Sequence, residues 1–278
     1  MFFNQLLQNP IVHHSQQLLK NTVIATGLMF SLAYNPHPAL ALSLSPIYLE
    51  LKADKTQTTG ILKVSNTSDK PLRVRVSATA FSYDEQGNFK RLESGSKEDL
   101  TSYMRYSPKE VTIPPKSTNN IRLAAILPPS LPDGEYRVAI FVNSLQEINN
   151  ETTNYRVNFT TSMGSAIYVR KGNIHPNLNV DKAHFNTEKS ELRLTISNQG
   201  QATARPKIAW KLTQNNQEII KGEGGGSFLP NKTMSVILKP NTKEKMILNA
   251  GNYKLSGEAV WNDDGMKSLP FALDLVIK

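Results

Sequence analysis

Residues 104–142, MRYSPKEVTIPPKSTNNIRLAAILPPSLPDGEYRVAIFV, constrain the fold more than any other stretch, because alternating runs are cut by Pro114-Pro115, Pro128-Pro129 and Pro132-Asp133-Gly134. Strand side chains project with period two. Ile121, Leu123 and Ala125 therefore share one side of one strand, and Tyr136, Val138, Ile140 and Val142 one side of the next. Each such strand is expected to have a core face and an exposed face. Proline has no N–H to give a ladder, so each pair belongs at a strand end or corner. Short alternating strands with proline corners predict an all-β, immunoglobulin-like sandwich.

The same alternation runs on either side. An opening strand is expected over 44–52, then a strand pair at 60–66 and 72–83 joined through the turn formers Thr67-Ser68-Asp69-Lys70-Pro71. A hairpin turn is read at 84–88 and a short helical turn within 97–105. Residues 155–170 are expected to form a long last strand interrupted by Gly164, a sign of a bulge or a close backbone approach. After a joint at 171–177, strands follow at 191–197, 205–214, 233–238, 252–261 and 268–277, with Trp210 and Trp261 as core anchors. This second set does not read as a copy of the first.

The first residues are expected to lie outside the fold. Lys20, the apolar run at 22–33, Pro36-His37-Pro38 and Ala39-Leu40-Ala41 have the layout of a secretory signal peptide over 1–41. The alternative is an uncleaved anchor, but a spanning helix needs roughly 20 apolar residues. At roughly 100 residues per immunoglobulin-type domain the remainder holds two sandwiches in tandem, over 42–172 and 173–278. With 0 cysteines, neither uses the inter-sheet disulfide of antibody domains, which fits a bacterial envelope better than an animal extracellular space. The net charge of +9 is scattered among acids rather than gathered with aromatics, so no nucleic-acid partner is expected.

Chemistry-bearing motifs are sparse. His175 and His184 have no acid cluster beside them and read as loop histidines, not metal ligands. Gly222-Glu223-Gly224-Gly225-Gly226-Ser227 lacks the Lys-Ser/Thr ending of a phosphate loop and reads as a flexible inter-strand turn. Asp263-Asp264-Gly265 supports a hairpin turn, with calcium as the less favoured reading. No Gly-x-Ser-x-Gly elbow occurs, and neither an enzyme nor a cofactor is expected.

Four segments, in order, carry a resemblance. Leu62-Lys63-Val64-Ser65-Asn66 with Asp69-Lys70-Pro71-Leu72-Arg73-Val74, then Tyr106-Ser107-Pro108-Lys109-Glu110-Val111-Thr112-Ile113-Pro114-Pro115, Ile121-Arg122-Leu123, and Leu131-Pro132-Asp133-Gly134-Glu135-Tyr136 resemble the amino-terminal domain of PapD-type periplasmic pilus chaperones. The match spans residues 44–172; the other half agrees only in size and strand content. The resemblance implies a periplasmic, non-enzymatic protein that holds pilus or surface-protein subunits, with an outer-membrane usher as a further partner. Such chaperones lend the last strand of their first domain to a subunit that lacks its own final strand.

Aligned through Arg170, the donor residues implied by the resemblance are Val157, Phe159 and Thr161, with Met163 continuing the row. From alternation alone the same row has a second reading, in which it faces the chain's own core. The family anchors the subunit's terminal carboxylate with an Arg in the first strand and a Lys in the last. Here Tyr48 and Ala166 stand at those places, so Tyr48, Arg122, Arg170 and Lys171 are the candidate cleft anchors, with Arg105 a further cation nearby. The competing reading is a non-enzymatic envelope structural or adhesive protein whose sandwiches present loops. A third is a hydrolase or lectin with a metal at Asp263 and Asp264.

Overall fold

Pro46 sets the first branch of the topology. In a computed structural model that describes residues 42–93, 95–145 and 161–277, the opening strand is two pieces, β1 (Leu42–Ser45) and β2 (Tyr48–Lys52). Pro46 between them cannot continue a ladder, and the pieces join different sheets. There follow β3 (Gln57–Asn66), β4 (Leu72–Thr79), β5 (Phe81–Tyr83), β6 (Phe89–Arg91), a 3-10 turn at Thr101–Tyr103, β7 (Met104–Ser107), β8 (Glu110–Ile113), β9 (Ser117–Ile126), β10 (Gly134–Ser144) and β11 (Ser162–Lys171). One sheet is ordered β1-β3-β9-β7 and its partner β2-β11-β10-β4-β8. Leu62, Val64, Ile121, Leu123 and Ala125 of the first sheet share a core with Val74, Val76, Val138, Ile140, Val142, Ile167 and Val169 of the second. Each fully buried aliphatic side chain contributes roughly 1.5–3 kcal/mol before the entropy of ordering it.

The turn at 67–71 does not make a hairpin. β3 pairs with β1 and β9, while β4 pairs with β10 and β8, so the two expected partners sit in opposite sheets. Asn66, 1% exposed, explains the crossing. Its amide nitrogen donates to the carbonyls of Lys70, Ile113 and Pro114 at 2.8, 3.0 and 3.1 Å, and its oxygen accepts from the Ser68 N–H at 3.0 Å. The corner's backbone groups are thus satisfied without a ladder between the flanking strands.

β10 also departs from the expectation of one exposed face. Glu135, Arg137 and Ala139 are as buried as Tyr136, Val138 and Ile140. The outer row lies under the rest of the chain: Ala139 joins Phe81, Tyr168 and Leu229 in a separate apolar cluster. The β5–β6 hairpin, turning at 84–88 as expected, reaches the same side, where the Glu85 carbonyl accepts from the Ser235 N–H at 2.8 Å.

The second half comprises β12 (Leu178–Asn186), β13 (Glu191–Asn198), β14 (Lys207–Gln214), β15 (Gln217–Gly225), β16 (Lys232–Pro240), β17 (Gly251–Asn262) and β18 (Met266–Ile277). They form one sheet, β12-β13-β16-β15-β14-β17-β18. β16 pairs with β13 along its length but with β15 only at Gly222↔Pro240 and Glu223↔Lys239, and there the sheet turns over on itself. Its two end strands, β12 and β18, pack together. The enclosed core includes Leu192, Leu194, Ile196, Trp210, Leu212, Phe228 and Leu255; Trp261 packs against it half-buried.

Two expectations are corrected here. β12 and β15 are strands where the alternation predicts none, and Gly222-Glu223-Gly224-Gly225 is the end of β15 rather than a flexible turn. These glycines admit close backbone approach: a Cβ at 222 would collide with the Lys239 carbonyl, and one at 225 would lie 2.7 Å from that of Pro206. The fold is therefore all-β, two sandwiches in tandem, and no helix among the described residues is long and apolar enough to cross a membrane.

Candidate strand-pairing edge and cleft

β11 is paired unequally along its two sides. Toward β10 it runs antiparallel without a register shift, from Gly134↔Lys171 to Asn143↔Ser162. Toward β2 it runs parallel, and only from Ala166↔Tyr48 to Arg170↔Lys52. The boundary falls at Pro46, whose carbonyl accepts from Ser165 Oγ at 2.8 Å. Before that point β1 has left for the other sheet. Among the described residues, Ser162, Met163 and Gly164 thus have a strand on one flank and none on the other.

Gly164 marks a close approach and not a bulge. A Cβ there would stand 2.9 Å from the Phe141 ring, which lies across the strand. Met163 is in register with Val142 and packs, half-buried, on the first sandwich's own core. Thr161, two residues earlier, is half-buried; its N–H donates to Ser144 Oγ at 3.0 Å and its carbonyl accepts from the Ser144 N–H at 2.8 Å. Val157 and Phe159 lie outside the described residues.

The candidate cleft anchors separate into three kinds. Tyr48 and Ala166 are register partners, and neither carries a charge. Arg170 is 7% exposed and held inside the molecule: Nη1 donates to Asp263 Oδ1 at 2.6 Å and Nη2 to the Thr203 carbonyl at 2.8 Å. Lys171 is likewise engaged, donating from Nζ to the carbonyls of Pro129 and Pro128 at 2.9 and 3.3 Å and to that of Leu131. Gly172 after it takes φ +81°, a left-handed turn that suits glycine. Arg122 stands on β9, on the outer face of the other sheet and away from the cleft.

A cation does reach Tyr48, from the second sandwich. The Arg205 guanidinium sits 4.4 Å from the Tyr48 ring centre and 4.1 Å from that of Tyr168, and pairs with Glu50 of β2. Burial pushes its pKa down to about 10, with Tyr48 acting in the opposite sense; it stays charged at neutral pH. Tyr168 is driven up, first by burial and then by the neighbouring Tyr83 hydroxyl at 3.2 Å.

Beside it, Glu135 accepts from the Thr203 N–H at 2.7 Å and lies 3.4 Å from Arg137 Nη1. Asp263 accepts from Arg170 with one oxygen and contacts His175 Nδ1 at 2.8 Å with the other. Both oxygens of Asp263 are thus engaged within the molecule. The turn itself is as expected, with Asp264 at φ 50° and Gly265 at φ 122°. His184 is exposed on β12. Among the described residues no group of three or more His, Cys, Asp or Glu could hold a metal.

Arg205, Glu50, Glu135 and Asp263 escape sequence reasoning because their partners are far along the chain: Arg170 and Asp263 are 93 positions apart, Arg205 and Glu50 155. The only local signal was the Asp-Asp-Gly turn.

No family model and no curated protein matches the chain. Solved structures do. The class 5 fimbriae chaperone CfaA is similar at 13% identity and a TM-score of 0.47, with 84% of this chain and 98% of that one covered. The YadV chaperone is similar at 14% identity and 0.48, with 85% and 100% covered. The Salmonella enterica SafA pilin in complex with the SafB chaperone gives 12% identity and 0.48, with 87% and 98% covered.

Proposed function

We propose that this chain is a periplasmic holding chaperone for pilus or surface-protein subunits, exported by the leader at 1–41 and acting without catalysis. The module boundary at 172/173 is part of the proposal, supported by the two main cores drawing on residues 42–169 and 178–277. The observation that carries the reading is that, among the described residues, β11 is paired on one side only before Ser165. An incomplete subunit sandwich would add its strand on that flank, main-chain bonds supplying affinity and alternating side chains specificity. Because Met163 is engaged in its own core, the donor row of this reading is Val157, Phe159 and Thr161. Arg205, over Tyr48, is the cation that takes the place of the missing Arg and Lys, with Glu50 as the partner an incoming carboxylate displaces.

The test is co-expression with a candidate subunit encoded beside this chain. Val157→Asp and Phe159→Asp are expected to abolish capture while far-UV circular dichroism stays unchanged. Arg205→Ala is expected to weaken capture by about tenfold, the worth of one charge-assisted contact. Capture that survives both aspartates would reject strand donation, and retention on envelope polysaccharide instead would favour the structural or adhesive reading. An usher partner is tested separately, by pull-down of the loaded complex.

A further inference from the structure

The outer face of the β1-β3-β9-β7 sheet is chemically unlike the partner sheet and the joint. On the partner sheet and at the joint, cations meet acids: Arg73 and Arg75 pair with Glu110, Arg137 with Glu135, Arg170 with Asp263, Lys52 with Asp264. The register places Lys63 and Ile61 of β3, Arg122, Ala124 and Ile126 of β9, and Arg105 of β7 on one outward face. The remaining outward positions of these four strands are Ser, Thr, Asn and Gln, with no carboxylate. Among the described residues, Lys63, Arg105 and Arg122 make no ion pair; Arg105 donates to the carbonyls of Ser102 and Met104 at 3.0 and 3.3 Å.

Exposed apolar groups lie among these charges. Ile61 is 51% and Ile126 58% exposed, and a groove of about 650 Å³ is lined by Ile61, Ala124, Arg105 and Arg122 with their neighbours. Ile61 is directly opposite Arg122, and Ala124 directly opposite Arg105. Same-face neighbours are roughly 7 Å apart along a strand and about 4.8 Å across strands, so Ile61 stands between Lys63 and Arg122. Among the described residues, β7 is the edge of this sheet and pairs only with β9.

We propose that this face is a docking surface for an acidic segment of a protein partner, one apolar side chain seated in the groove and carboxylates on either side meeting Lys63, Arg122 and Arg105. The partner must bring negative charge, because a second copy of this chain would set cation against cation. A concave groove is filled by an inserted side chain, whereas a bilayer is flat. The free flank of β7 gives an extended segment backbone bonds as well. The face belongs to the sheet opposite β11, so it remains open while the β11 edge is engaged.

The experiment uses the purified full chain and a fluorescein-labelled peptide in which leucine is flanked on each side by two glutamates, read by anisotropy at about 50 mM salt. Saturable binding is expected, lost with glutamine in place of glutamate and lost at about 0.5 M salt. Arg122→Glu and Arg105→Glu should each weaken it by about tenfold and Ile61→Ser by a similar factor, with unfolding midpoints unchanged since all three side chains are outward. Equal binding by wild type and Arg122→Glu would overturn the proposal. So would phosphatidylglycerol vesicles sedimenting with the chain in an Arg122-dependent way while the peptide does not bind. Subunit capture in these variants should be intact, which separates this surface from the β11 edge.

Discussion

In the first sandwich the amide of Asn66 ties the corner after β3; in the second, Asn198, also 1% exposed, donates to the carbonyls of Ala202 and Phe228 at 2.8 and 2.9 Å after β13. Tyr136 at the start of β10 donates to the Pro132 carbonyl at 2.6 Å, and Tyr253 at the start of β17 to that of Asn249 at 3.0 Å, each reaching four residues back. Both tyrosines make the corner contact that recurs in immunoglobulin-like sandwiches. The last strands differ. β18 pairs with β17 from Gly251↔Ile277 to Asn262↔Met266 across a three-residue turn and packs against β12. β11 is reached from β10 through residues 145–161 and, among the described residues, gains a second neighbour only from Tyr48 onward. The same corner chemistry therefore serves a closed sandwich and one left open along part of an edge. What differs is where Pro46 sends the first strand and how long the last connection is.

The largest expected effect tests whether the two sandwiches stand or fall together. Arg170→Ala leaves Asp263 buried and short of a partner, and Asp263→Ala leaves Arg170 so; each is expected to cost about 3–5 kcal/mol. The double change to leucine should recover much of that loss. Both tryptophans, Trp210 and Trp261, are in the second sandwich, so fluorescence reads that half and circular dichroism reads both. Coincident urea transitions that shift together would show one cooperative unit; a shift in one signal alone would show that the joint is an ordinary contact.

Next are the corners. Asn66→Ala and Asn198→Ala each strand several buried backbone groups, at an expected cost of about 2–4 kcal/mol. Equal losses would sharpen the parallel between the halves. If Asn198→Ala is nearly neutral, the second corner is held by packing, and the likeness is only geometric.

These corners show why the chain was only partly legible. Strands with unbroken alternation, such as LKVS in β3 and LRVRV in β4, declare themselves by period two. β12 does not, because its register shifts between Val180 and Lys182 and Leu178, Val180, Ala183 and Phe185 fall out of step. β15 hides behind glycines whose reason, the crossing backbone of β16, lies elsewhere in the sequence. The repeat of Ser-Asn at 65–66 and 197–198, and of Gly-x-Tyr at 134–136 and 251–253, was present in the letters but acquires meaning only once both corners are seen. The open flank of β11 and the place of Arg205 follow from tertiary pairing, which local pattern does not encode.

A third measurement contrasts the two kinds of close approach. At Gly222 a new Cβ meets backbone, the Lys239 carbonyl, which has nowhere to move; at Gly164 it meets the Phe141 ring, which can tilt. Gly222→Ala is expected to cost about 3 kcal/mol or more and Gly164→Ala about 1 kcal/mol. The reverse order would mean that the ring against Gly164 is held more rigidly than the sheet corner.

The smallest effect is a pH dependence across the joint. Asp264, in the tight turn of the closed sandwich, accepts a hydrogen bond from Lys52 at the end of β2 in the open one. That bond and the lysine's charge hold its carboxyl below the usual 3.8. A depressed folded-state value means that the stabilisation is complete above the unfolded value and is lost as pH falls through the folded one. Both side chains are more than half exposed, so the contribution is small and screened by salt. Asp264→Asn should therefore lower the urea midpoint slightly and by a constant amount from about pH 8 to about pH 5, the gap to the parent closing as pH falls through and below 3.8. A gap that persists unchanged at the acid end would show that the pair does not link the two sandwiches electrostatically, and that the turn's own backbone geometry sets the difference.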